Sequence, residues 1–141
     1  MENNVKKPIS QVVLERITGL IVFLIFVIIV NLLADSTANQ TIVLTANFFN
    51  ENFWLILLFS ILFSLGEFFG VLAFPLNLPA PVFNATAGVL LVAFLFRIFL
   101  LVDEITGITI FGHFSSLVVL LYAFVFCVIL GAGYIIIFRE I

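Results

Sequence analysis

Four long apolar stretches leave this chain few folds to choose from. They cover residues 12–34, 53–74, 82–102 and 115–138, and within them Leu, Ile, Val and Phe dominate. A hydrocarbon core about 30 Å thick is crossed by about 20 helical residues. Four crossings consume most of a 141-residue chain and leave little of it over for a soluble domain. Composition agrees: 65% of residues are hydrophobic and 9% charged, where soluble domains run near 45–50% and about 25%. Mean hydropathy is +1.40. The expected fold is an all-α integral membrane protein, a single domain of four antiparallel transmembrane helices.

The breaks between stretches are chemically distinct. Asp35, Ser36 and Thr37 end the first. Residues 35–52 form the longest connection, whose Ile42, Val43, Leu44, Phe48 and Phe49 are expected in the headgroup layer or over the bundle mouth. Pro75, Pro79 and Pro81 remove backbone donors and restrict the residues before them, so the second and third spans are joined by a short turn. Asp103 and Glu104 close the third span, and His113 lies in the last connection.

The charges are sorted by side. Lys6, Lys7, Arg16 and Arg139 flank one set of span ends, whereas Asp35, Glu51, Asp103 and Glu104 flank the other. Cytoplasmic flanks carry the excess of Lys and Arg, so both termini are expected in the cytoplasm of a cell-membrane protein. The net charge of −3 therefore expresses topology, and no basic patch invites nucleic acid. The first apolar run exceeds a signal-peptide core, which takes about 7–15 residues, and is expected to be retained as a span.

Two ionisable residues stand inside the spans, Glu67 in the second and Arg97 in the third. A charge at the centre of a transmembrane helix costs about 2.5–3.5 kcal/mol on insertion scales, so it normally faces a partner, a bundle interior or water. At 1.5 Å per residue, Glu67 lies about 12 Å below the turn at Pro75 and Arg97 about 22 Å from that end, a mismatch of about 10 Å. Long side chains leaning towards each other nearly close that gap, so a Glu67–Arg97 ion pair is one account. Arg97 alone has two others. It snorkels outward to the acidic rim of Asp35, Glu51, Asp103 and Glu104, or it attracts or gates anions near an outer mouth. Glu67 also has two. It is a neutral acid bonded to Ser64, a neighbouring helix or its own backbone, or it is a proton- or cation-handling site; in hydrocarbon the neutral acid is the cheaper form unless a cation sits beside it.

Helices in lipid associate through small residues and polar contacts. Ser60, Ser64 and Glu67 recur at i, i+4 and i+7 on the second span, with Gly66 and Gly70 as a GxxxG pair alongside. This is the expected functional face. On the fourth span Ser116, Ala123, Cys127, Gly131 and Tyr134 share a side. The third offers Thr86, Ala93 and Arg97 on one face and Asn84 with Gly88 on another.

Much chemistry is excluded. One cysteine forbids an intrachain disulfide, and one histidine cannot supply bis-histidine haem ligation. No metal-ligand cluster, Ser-His-Asp set or phosphate-cradling glycine loop is present, so no cofactor is expected and catalysis is disfavoured. Asn39-Gln40-Thr41 is a glycosylation sequon of low specificity. The leading expectation is a non-enzymatic subunit that associates through the polar face with copies of itself or other membrane subunits. The alternatives are an ion- or proton-coupled transporter or channel subunit using Glu67, and a lipid- or quinone-binding intramembrane protein.

Overall fold

A computed structural model describes residues 8–139, all helix and connecting turns with no strand among them. Helix α1 spans Ile9–Ser36, α2 Gln40–Glu51, α3 Phe53–Gly70, α4 Ala80–Thr106 and α5 Ser115–Arg139, with a 3-10 turn at Phe111–Phe114 before α5. The four helices α1, α3, α4 and α5 are long and apolar enough to cross a membrane. Lys6 and Lys7 lie outside the described residues.

Local chemistry sets the boundaries. The Asn39 side chain accepts the Thr41 amide at 3.0 Å and starts α2, as N-cap residues do. The connection at 35–52 is thus mostly a helix, broken from α3 only at Asn52, whose ψ of 5° departs from helical geometry. Helix α3 ends at Gly70, a turn earlier than the end of the apolar stretch at residue 74. The apolar run outlasts the helix because the residue before Pro75 is pushed away from helical dihedrals. Pro81 stands in the first turn of α4, where a missing N–H costs nothing. Gly107 ends α4 with φ +71° and returns its N–H to the Asp103 carbonyl at 2.9 Å, a left-handed stop that suits glycine.

Asp103 has a second task. Its carboxylate accepts the backbone amides of Ile110, Phe111 and Gly112 at 3.2, 2.8 and 3.0 Å. It is 9% exposed. The carboxylate therefore folds the connection back over the end of α4 instead of joining an open acidic rim.

The long helices form a row, with α3 between α1 and α4, and α5 on the far side of α4. Among the described residues the backbones of α1 and α5 nowhere approach within 8 Å, nor do those of α1 and α4 or of α3 and α5. Rings interleave along the row: Phe69 stacks on Phe83 at 5.5 Å, Phe59 meets Phe94 at 5.8 Å, and Phe23 stacks on Phe53 at 6.1 Å. Helix α2 fills the corner, with Phe49 against Phe26 and Phe48 against Phe94.

Small side chains make the interior. Ala85 and Ala87 on α4 are fully buried, whereas long stretches of Leu, Ile and Val on α1 and α5 are exposed. This inverts the soluble pattern because hydrocarbon outside the protein is as apolar as the side chains, so close backbone packing supplies the cohesion.

Candidate functional site

Two polar sites join the helices, one near each end of α3. At the first, Arg16 of α1 grips Glu67 of α3. Its Nε donates to Oε2 at 3.1 Å and its Nη2 donates to Oε1, so the salt bridge is bidentate. Both side chains stay partly accessible, at 38% and 43%. Such a fork fixes orientation as well as neutralising charge. Glu67 thus has a cation beside it, and the cation is not Arg97.

The expected face of α3 divides between its two neighbours. Ser60 and Ser64 line a cavity of about 270 Å³ against α1, together with Arg16 and Leu20. The Ser64 hydroxyl donates to the Ser60 carbonyl at 2.8 Å, so it serves its own helix and not Glu67. Gly66 and Gly70 turn the other way. A Cβ on Gly66 would stand 2.0 Å from Asn84 Oδ1, and one on Gly70 would touch the Ala80 Cβ at 3.9 Å. The glycine pair is the seat of α4, and the serines with Glu67 are the seat of α1. Both uses lie within one chain.

At the second site Arg97 donates to Asn52 Oδ1 at 2.6 Å. Asn52 is 3% exposed, and its amide nitrogen donates to the Phe48 carbonyl at 2.8 Å. One side chain therefore closes the break between α2 and α3 and holds the guanidinium of α4. Glu51 and Glu104 line the same cavity of about 320 Å³ as Arg97. Arg97 bonds to the α2–α3 elbow, with Glu51 and Glu104 of the expected acidic rim in the same cavity wall. Nearby, Asn31 and Asn50 exchange hydrogen bonds at 3.1 and 2.8 Å, tying α1 to α2.

Arg16, Asn52, Asn31 and Asn50 carry most of this network, and their sequence signal is weak because all lie near span ends, where polar residues are ordinary. Of the residues expected to act together, Ser60, Ser64, Gly66, Glu67 and Gly70 share α3 but serve two different neighbours, whereas Arg97 stands apart at the other site. His113 Nδ1 meets the Thr109 carbonyl within its own connection. No group of three or more metal-binding side chains occurs among the described residues. No protein-family model, curated protein or solved structure matches the chain.

Proposed function

We propose that this chain is a non-enzymatic multi-pass protein of the cell membrane that acts as a self-associating subunit. Its four long helices run antiparallel, with both termini in the cytoplasm. The ring pairs support the antiparallel order, since Phe59 with Phe94 and Phe69 with Phe83 match rising numbers on α3 to falling numbers on α4. The side-sorted Lys and Arg support the orientation.

The observation that carries association is on α5. Val125 and Ile129 face Gly88 of α4, and Gly133 faces Pro81. At 100° per residue, Ala123, Cys127 and Gly131 fall on roughly the opposite side. All three are exposed, and a Cβ on Gly131 would meet nothing within 4 Å. Helix α5 packs only on α4 and the 3-10 turn among the described elements. A small-xxx-small-xxx-small stripe on an uncovered transmembrane face lets a second backbone approach closely. The glycine face of α3, by contrast, is filled by α4. Arg16 gives Glu67 a structural partner, which makes transport the less economical reading.

Cys127 supplies the test, because a symmetric pairing of the stripes brings it near its counterpart, and disulfides form when Cα atoms approach within about 7 Å. Oxidation in native membranes is expected to give a covalent dimer that Cys127→Ala abolishes. Gly131→Leu is expected to leave the fold intact but shift native mass spectra towards monomer. Monomers throughout, with no cross-link, would refute the proposal.

A further inference from the structure

A cavity of about 440 Å³ lies between the end of α3, the start of α4 and the end of α5. We infer that it binds a neutral lipophilic molecule carrying a free hydroxyl, held by Asn77 between apolar walls. Asn77 stands in the turn between α3 and α4, is 5% exposed and lines the cavity. Its Oδ1 has no hydrogen-bond partner among the described residues. Buried side-chain oxygens without a donor are rare in folded proteins, and each calls for an explanation.

The surroundings narrow the ligand. Asn84 is the other carboxamide in the wall, and the remaining lining is Gly, Ala, Pro, Val and Ile. No charged side chain lines the cavity, so a phosphate or carboxylate head would sit there without a counter-charge. A lone water needs two to four polar partners and finds few on these walls. A hydroxyl on an apolar body fits both features, because its O–H supplies the donor that the carboxamide oxygen lacks. The terminal torsion of asparagine is broad enough to turn that oxygen towards the bound group. The volume falls within the range of small-molecule sites, about 300–1,000 Å³. Val128, Ala132 and Ile136 at the edge are exposed, which opens an entry from the lipid side for the apolar tail.

This chemistry has two sources, a partial glyceride and a quinol. The full chain in an amine-oxide detergent, which brings no hydroxyl of its own, separates them by thermal unfolding. Dioctanoylglycerol is compared with trioctanoylglycerol, and decylubiquinol with decylubiquinone; the second of each pair lacks the hydroxyl. A saturable rise in melting temperature with one hydroxylated probe and not its partner is expected, and the responding probe identifies the source. Asn77→Leu is expected to weaken that probe about tenfold, the loss of roughly one hydrogen bond, while unfolding without ligand stays unchanged or rises. Should that variant fail to fold, Ala132→Phe, which fills the cavity from its exposed edge, is expected to abolish the rise. Equal responses to both members of each pair, no saturable response, or an undiminished response in the folded variants would overturn the inference.

Discussion

Arg16 and Glu67 meet because each lies a short way in from the end of its helix. Arg16 is seven residues into α1, and Glu67 is three residues from the end of α3. Together they form a two-pronged pair whose charges cancel. Removing one partner strands the other, so the losses from Arg16→Gln and Glu67→Gln should sum to more than the loss in the double variant. The coupling is expected at about 0.5–1 kcal/mol, the lower part of the range for contacting residues, because both side chains are more than a third exposed. Denaturation of the four proteins followed by circular dichroism measures it, and the charge-reversed pair Arg16→Glu with Glu67→Arg should recover part of the loss. Additive effects would mean that the bridge contributes nothing.

Among the elements, α4 holds the row together, and the glycines at its contact with α5 differ in what they can tolerate. A Cβ on Gly133 would stand 2.7 Å from the Pro81 Cβ and 3.3 Å from its Cα. A proline ring and a backbone atom cannot swing aside. A Cβ on Gly88 would stand 2.3 Å from Ile129 Cδ1, the free end of a flexible side chain. Gly133→Ala should therefore cost about 1–3 kcal/mol through forced separation of α4 and α5. Gly88→Ala should cost less than about 1 kcal/mol, since a gain in helix propensity offsets the rearrangement. Melting temperatures in one detergent check the order, and a reversal would mean that Pro81 yields more readily than Ile129.

For the molecule as a whole, orientation is the quantity that charge sorting addresses. A fluorescent protein that folds only in the cytoplasm, fused after Ile141, is expected to fluoresce. The same reporter inserted in the turn at Gly107 is expected to stay dark. The opposite pattern would reverse the topology.

The sequence was sufficient for an all-helical chain with four helices long and apolar enough to cross a membrane, because length and hydropathy are local properties of each segment. It also marked Ser60, Ser64, Gly66, Glu67 and Gly70 as a packing surface, because small and polar residues at helical spacing stand out against Leu and Phe. Partners were a different matter. Periodicity places a residue on a face but does not say which helix lies opposite, so the divided use of α3 and the pairing of Glu67 with Arg16 came only from three-dimensional packing. The same holds for Asn52 and Asp103, polar residues at span ends that look like solvated rim. Tertiary structure turned them inward, since the break after α2 and the turn before α5 left a guanidinium and backbone amides that needed acceptors.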